Sequence, residues 1–164
     1  DLSLVLTTVA ERYTAVAEEH GHRMRASISP GAAIDGDREL VLQMVTNLVE
    51  NAIRHIPSGG IITLELSDEP GGPVLRIKDT GPGIPQPERE KVFRRFYRLE
   101  RHRTTPGNGL GLALVKAVVD LHGASIELGE NSPGLCVTVR FPPYCDRDRS
   151  VPASEQPWVS SAAH

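Results

Sequence analysis

The spacing of apolar residues changes its period along this chain, and that change constrains the fold more than any other feature. Across residues 1–56, two segments repeat apolar side chains at steps of three and four, which is typical of helices that bury one face. Residues 62–66 instead alternate apolar and polar side chains, which predicts a half-buried strand. Helices and strands therefore have to share one core.

Capping and turn residues set the limits of the helices. The first is predicted over about residues 1–19, with Gly21 as its stop. The second begins after Asp37, whose carboxylate suits an N-cap, and runs to about Ile56, where Pro-Ser-Gly-Gly ends it. A third helix over residues 110–121 is apolar nearly all round, which predicts burial on every side.

The strand patterns are shorter and lie between and after these helices. The predicted strands are residues 62–66, 74–78, 124–128 and 135–141, and residues 25–29 alternate polar and apolar side chains only weakly. Because strands and helices segregate around one mixed sheet, we expect a two-layer α/β sandwich.

The composition argues against several classes of protein. A chain of 164 residues forms one domain, and a net charge of -3 argues against nucleic-acid binding through bulk charge. No apolar run approaches the roughly 18 residues of a membrane span, and no signal peptide opens the chain. Cys136 and Cys145 lack the spacing of a zinc site. Residues 143–164 have no hydrophobic period and are predicted to form a disordered tail behind a domain of residues 1–142.

The second helix carries a polar stripe. At about 100° per residue, several polar residues fall on one arc beside a broad apolar arc. These residues are Gln43, Asn47, Glu50, Asn51 and Arg54. A solvated face explains such a stripe, but two asparagines one turn apart are unusual because Asn is a poor helix former. Since an amide oxygen can ligate a hard cation such as Mg²⁺, the stripe is a candidate metal site.

A carboxylate follows the strand at residues 74–78. Leu75, Ile77 and Asp79 share parity, so Asp79 ends the apolar face of that strand and needs a hydrogen-bond donor there. A local capping role would satisfy it. The Gly-Pro-Gly sequence at residues 81–83 also lets another molecule approach the backbone, and a base with an exocyclic amine would supply the donor.

Glycines and basic residues dominate the stretch before the third helix. Gly107, Gly109 and Gly111 open that helix, where N–H groups form an anion site, although tight helix packing explains many such runs. Residues 89–103 contain seven of the 18 basic residues and two acids, a local charge of +5 (7 minus 2). A solvated loop or a small nucleic-acid patch would account for this charge. A lid that closes over phosphates accounts for the charge, the length and the glycines together.

Four segments together resemble the ATP-binding catalytic domain of bacterial sensor histidine kinases, in the superfamily shared with gyrase-type, Hsp90-type and MutL-type ATPases. Residues 47–55 are similar to the family's N box, residues 79–84 to its G1 box, residues 92–98 to its F box and residues 107–112 to its G2 box. Each box is modestly specific, and four in this order and spacing are strongly specific. The resemblance implies a Bergerat fold, with about five strands on three helices.

The resemblance implies a site for ATP and Mg²⁺. Asn51, with Asn47 beside it, would hold the Mg²⁺ that bridges the phosphates. Arg54 and His55 would contact phosphate or ribose, and Arg98 would reach toward the γ-phosphate. The start of the third helix would hold the phosphate tail, and it comprises Gly107, Gly109, Leu110, Gly111 and Leu112.

Other matched residues would surround the adenine or hold the lid. Asp79 would accept a hydrogen bond from the adenine amino group, and the pocket beside the base would be shaped by Gly81, Gly83 and Ile84. Phe93 and Phe96 would anchor the lid.

Three positions depart from the family pattern. His55 stands in place of a commoner Tyr, and Asn108 stands in place of a Thr or Ser in the G2 box. Leu135-Cys136 stands where many members carry Ser-Thr, so a water-mediated contact to the base would be lost.

The family's phosphoacceptor is a histidine on a separate dimerising hairpin, in a His-Glu-Leu-Arg-like sequence, and none of the six histidines of this chain has that context. The chain therefore resembles a catalytic fragment that would act on the dimerisation domain of the same kinase, upstream of a response regulator. It would be cytoplasmic and would contact neither nucleic acid nor membrane. Its parent would be either soluble or anchored in the bacterial inner membrane.

The leading prediction is a protein histidine kinase fragment that transfers the γ-phosphate of ATP. Its catalytic residues would be Asn47, Glu50, Asn51, Arg54 and Arg98. Three alternatives stay open. A hydrolysing ATPase would need a Glu base where Asn47 stands, although Glu50 is nearby. An anti-sigma-type serine kinase has a similar length, but the lid sequence fits sensor kinases better. A nucleotide-sensing module would keep the pocket without catalysis.

Overall fold

The computed structural model describes residues 1–98 and 109–144. In these ranges three α-helices form one layer: α1 (Leu2–Glu19), α2 (Arg38–His55) and α3 (Gly111–Leu121). None of the described helices is both long and apolar enough to cross a membrane.

Five strands form the second layer. They are β1 (Arg23–Ile28), β2 (Ile61–Glu69), β3 (Gly72–Asp79), β4 (Ser125–Glu130) and β5 (Leu135–Arg140). Their order across the sheet is β1-β2-β3-β5-β4, with β1 parallel to β2 and the other neighbours antiparallel. The predicted mixed sheet of five strands on three helices is therefore confirmed.

The core lies between the helices and one face of the sheet. On β2, alternate residues are fully buried, namely Ile62, Leu64 and Leu66, whereas Thr63 and Glu65 on the other face stay partly exposed. The apolar arc of α2 packs onto this face, and its buried members are Val41, Met44, Val45, Leu48, Val49, Ala52 and Ile53. Burial on one face only is expected from the helical spacing of apolar residues in α2 and from their alternation in β2.

The central strand β3 delivers Asp79 to one end of the sheet. On one side Asp79 pairs with Ile62 of β2. On the other side, the ladder with β5 ends at Lys78, which pairs with Cys136. Asp79 thus lies one residue beyond the β3–β5 ladder, at a point where the sheet opens.

Two stretches differ from the predictions or extend beyond the described residues. Helix α3 buries only Val115, Val118 and Val119, and Leu121 is 69% exposed, so the prediction of burial on every side is wrong. Because α3 lies at the edge of the helical layer, only one of its faces contacts the core, although its other faces also carry apolar side chains. Of the predicted tail, residues 145–164 lie outside the described residues.

The α2 N-cap gives a stability prediction. Asp37 Oδ1 accepts hydrogen bonds from the N–H groups of Glu39 at 2.8 Å and Leu40 at 3.0 Å. We expect Asp37→Ala to lower the free energy of unfolding by about 1 kcal/mol, because two helix-start donors lose their partner. Urea unfolding measures this change. Asp35→Ala, at an exposed position two residues earlier, is the matched control, and an equal loss in both variants would contradict the cap.

Candidate functional site

One cavity of about 300 Å³ opens between α2, the ends of β3 and β5, and the start of α3. Residues 82–98, which follow β3, form its rim and contain two 3₁₀ turns, Gln86–Glu88 and Lys91–Phe93. The cavity is therefore lined by four parts of the chain that are distant in sequence.

Helix α2 supplies the polar wall of the cavity. Asn47, Glu50, Asn51 and Arg54 of the predicted stripe line it, whereas Gln43 is exposed outside it. The Nδ2 atom of Asn47 is buried and has no hydrogen-bond partner among the described residues. Because an unpaired buried polar atom is costly, this amide marks a place where a ligand group would bind.

Helix α1 reaches the same wall through one side chain. The hydroxyl of buried Tyr13 donates a hydrogen bond to Glu50 Oε1 at 2.7 Å. Burial raises the pKa of Tyr13 from its ordinary value, and the hydrogen bond and charge of Glu50 raise it further, against the opposing charge of Arg12. The tyrosine therefore keeps its proton and orients the carboxylate. No sequence pattern predicts this contact, because Tyr13 belongs to the apolar period of α1.

The carboxylate of Asp79 lies at the opposite wall and is 9% exposed. Its Oδ1 accepts hydrogen bonds from the N–H groups of Gly81 at 2.8 Å and Leu135 at 3.2 Å. Burial raises the pKa of Asp79, and these two hydrogen bonds act in the opposite direction. Both bonds from the described residues end on Oδ1, which leaves Oδ2 available to a ligand.

The start of α3 forms the third wall. Leu110 precedes the helix without a side-chain cap, and Gly111 and Leu112 line the cavity with it. The first N–H groups of a helix lack partners within the helix, so this end suits an anion.

Gly109 joins this wall to the rim. Its φ is +66°, and a Cβ there would lie 2.9 Å from the carbonyl carbon of Phe96. The N–H of Phe96 donates to Gly109 O at 2.9 Å. Only glycine fits this close approach of two backbones.

The cavity brings together most of the residues predicted for the site. Those that line it are Asn47, Glu50, Asn51, Arg54, His55, Asp79, Gly83, Ile84, Arg98, Gly109, Leu110, Gly111 and Leu112. Gly81 does not line it but holds Asp79 through its N–H. Gly107 lies outside the described residues.

The two phenylalanines of the rim do not line the cavity. Phe93 packs partly buried against the core. Phe96 is 74% exposed, and its role in anchoring the lid stays a prediction. Its backbone has a φ of 64° and bonds to Gly109, and this turns the side chain outward.

The cavity has further lining residues, mostly apolar, for which the sequence predicts no role in binding. These residues are Leu48, Ala52, Ile77, Pro82, Val92, Tyr97, Leu135 and Val137. Strand parity could have identified two of them, since Ile77 lies two residues before Asp79 and Val137 two residues after Leu135. Such apolar walls suit the flat faces of a ligand ring.

Solved structures of histidine kinase domains have this fold. The mycobacterial sensor histidine kinase MprB is 32% identical with a TM-score of 0.73, and the match covers 87% of this chain and 94% of that one. The ATP-binding domain of PrrB from Mycobacterium tuberculosis is 28% identical with a TM-score of 0.70, over 88% and 96% of the two chains. The class that the fold defines is thus that of histidine kinase ATP-binding domains.

The chain belongs to the family of histidine kinase-, DNA gyrase B- and HSP90-like ATPases, whose model matches residues 36–144. The sensor histidine kinase TmoS of Ectopseudomonas mendocina is 33% identical over 137 residues, which are 82% of this chain and 14% of TmoS. The sensor protein kinase PmrB of Pseudomonas aeruginosa is 39% identical over 115 residues, or 70% of this chain and 24% of PmrB. The chain spans less than a third of the length of these relatives.

The buried charge of Asp79 leads to a pH-dependent prediction. A carboxyl whose pKa is raised by folding contributes stability at low pH and loses that contribution as pH rises through the folded pKa. At neutral pH, Asp79→Asn should therefore raise the free energy of unfolding of the ligand-free domain, on the order of 1 kcal/mol, because the amide keeps the Oδ1 acceptor without the charge.

Urea unfolding at neutral pH, and again in the acid range where Asp79 takes up a proton, tests this prediction. The difference in the free energy of unfolding between Asp79→Asn and the wild type should be smaller in acid. Asp68→Asn, at an exposed position on β2, is the matched control for charge removal. A variant less stable than the wild type at neutral pH would contradict the cost of burying the charge.

Proposed function

We propose that this chain is the catalytic ATP-binding domain of a two-component sensor histidine kinase. It binds ATP with Mg²⁺ and transfers the γ-phosphate to a histidine on a separate dimerisation domain of the same kinase, from which a response regulator receives it. The observation that carries the proposal is that Asp79, the amides of α2 and the start of α3 meet in one cavity.

Asp79 recognises the adenine. Its Oδ2 accepts a hydrogen bond from the exocyclic amine of the base, and the ring lies against apolar side chains such as Ile77 and Val137. Guanine carries a carbonyl at the position of that amine, so two acceptors would face each other. The site therefore binds ATP and ADP in preference to the guanine nucleotides.

The polar wall of α2 fits a magnesium ion. Asn47 and Asn51 lie one turn apart, and amide oxygens are ligands that Mg²⁺ accepts. The unpaired buried atom of Asn47 is its amide nitrogen as assigned, and a rotated amide would present the oxygen there instead. These two residues would hold the ion, which when bound neutralises phosphate charge.

Phosphate binding uses the other end of the cavity. The guanidinium groups of Arg54 and Arg98 and the N–H groups at the start of α3 are donors that suit phosphate oxygens. Phosphoryl transfer needs chiefly positioning and charge neutralisation, and these groups supply both without a covalent intermediate on this chain.

The acceptor histidine belongs to another domain. His22 and His122 are buried, and both ring nitrogens of His122 bond within the fold, to Val118 O at 2.7 Å and to the N–H of Asp37 at 3.0 Å. His55 lines the cavity beside the proposed phosphate donors. His102 and His164 lie outside the described residues.

Glu50 supports a second candidate function, the hydrolysis of ATP. It lines the cavity, and Tyr13 fixes its carboxylate, so it is a candidate base for a water molecule. Histidine transfer is favoured over hydrolysis because the resemblance places the hydrolytic Glu of related ATPases at Asn47.

Incubation with γ-labelled ATP tests the proposal. We expect the chain alone to bind ATP, retain no phosphate and release little, and to label the dimerisation domain of its parent kinase when that domain is added. The label should be acid-labile and base-stable, as a histidine phosphate is.

Other outcomes of this assay identify the alternatives. Acid-labile label on the isolated chain would contradict the separate acceptor. Acid-stable, base-labile label on an added protein would indicate a serine kinase, and rapid release of free phosphate would indicate an ATPase.

The metal role of Asn51 gives a separate prediction. Asn51→Ala should lower phosphotransfer at least about 100-fold, since a lost contact to transition-state charge typically costs this much, while ADP binding without Mg²⁺ changes little. Gln43→Ala, on the same stripe but exposed outside the cavity, is the matched control. Transfer at the wild-type rate by Asn51→Ala would show that the metal role is wrong.

A further inference from the structure

The turn between β4 and β5, residues 131–134, lies directly against Asp79. The side-chain amide of Asn131 donates to the main-chain oxygen of Asp79 at 2.7 Å. The N–H of Asn131 donates to Gly134 O at 3.1 Å and so closes the turn on itself. A residue 52 positions away from Asp79 thus contacts its peptide group.

Gly134 allows the backbone of this turn to lie directly against the backbone of Asp79 and Thr80. A Cβ at Gly134 would lie 1.8 Å from Asp79 O and 3.0 Å from Thr80 Cα, and the residue has a φ of +120°. On the far side, a Cβ at Gly83 would lie 2.9 Å from Gly134 O. The turn is therefore packed between both ends of the Asp79–Gly83 segment, and neither glycine can carry a side chain without movement.

The end of the β3–β5 ladder explains why the turn binds here. Regular pairing ends at Lys78 and Cys136, so the next residues of both strands are released from the ladder. The N–H of Leu135 then donates to the carboxylate of Asp79 at 3.2 Å. The side-chain amide of Asn131 donates to the carbonyl of Asp79 instead, so the turn holds the main chain of Asp79 and the first residue of β5 holds its side chain.

Arg89, on the opposite rim, contacts the residue that precedes this turn. Arg89 donates to Ile84 O at 3.1 Å and to the carboxylate of Glu130 at 3.2 Å. The Glu130 side chain is mostly exposed, so this ion pair contributes little stability. It does connect the segment after Asp79 with the residue just before the turn.

We propose that Asn131 is a positioning residue for base recognition, which acts by fixing the peptide of Asp79 so that Oδ2 faces the exocyclic amine of the nucleotide. Gly134 permits the contact, and Leu135 holds Oδ1. The inference rests on the proposed adenine site. Asn131 itself does not line the cavity, so its effect on nucleotide binding passes through Asp79.

A comparison of ADP with its 6-deamino analogue, purine riboside 5′-diphosphate, tests this role by calorimetry. We expect Asn131→Ala to weaken ADP binding about five-fold, which is the change in affinity that the loss of one ordinary hydrogen bond causes. Binding of the deamino analogue should change less than about two-fold. A structural defect would weaken both ligands alike, because they share ribose and phosphates.

Two further variants separate the donor from the volume of the side chain. Asn131→Asp keeps the shape and loses the donor, so it should lose at least as much selectivity as Asn131→Ala. Ser132→Ala alters an exposed side chain in the same turn that makes no hydrogen bond with the described residues, and it should match the wild type. Thermal unfolding without ligand confirms that each variant is folded.

The outcomes distinguish the inference from the proposed function. A wild-type chain that binds ADP and the deamino analogue equally would overturn the adenine site, and the role of Asn131 with it. A wild type that prefers ADP, with Asn131→Ala and Asn131→Asp keeping that preference, would overturn the role of Asn131 alone. Equal weakening of both ligands by both variants would likewise overturn it.

Discussion

The hydrogen bonds of one buried carboxylate hold together the parts of this structure that form the cavity. Asp79 ends the central strand, and burial of its charge is tolerated only because donors reach it. Those donors are main-chain groups of Gly81 and Leu135, which lie on two separate segments. A backbone donor cannot change rotamer, so these two N–H groups restrict the orientation of the carboxylate.

The two faces of the sheet carry different kinds of side chain. One face carries the apolar core under the helices. The other carries ion pairs between neighbouring strands, Lys78 with Glu65 at 2.8 Å and Arg76 with Glu69 at 2.9 Å. Partly exposed pairs of this kind contribute little to stability. Stability therefore comes mainly from the helix-covered face, and the cavity opens at the end of that face, where α2 and the sheet part.

Local patterns predicted much of the fold and of the site, and long-range contacts could not be predicted. The periods and the Asp37 cap located α1 and α2 to within about a residue, because both signals lie inside the element. Strand parity predicts Asp79 as a buried carboxylate, and the Gly-Pro-Gly sequence after it indicates a place where a ligand can approach. The Tyr13–Glu50 and Asn131–Asp79 contacts join residues 37 and 52 positions apart, and no sequence spacing encodes them. The exposed side of α3 was missed because a helix that is apolar all round does not show which face is buried.

The two ends of the cavity differ in how they are held, and this difference implies an order of events in binding. The end proposed to bind the base is held by the main-chain donors to Asp79 and by the close approach of Gly134. The end proposed to bind phosphate has the uncapped start of α3 and a rim rich in like charges, including exposed Arg94 and Arg95, joined to Gly109 through a backbone bond of Phe96. Like charges at a rim repel until an anion neutralises them. The proposed base site therefore exists before the ligand arrives, whereas the proposed phosphate site gains its full set of contacts only as the triphosphate supplies the missing charge.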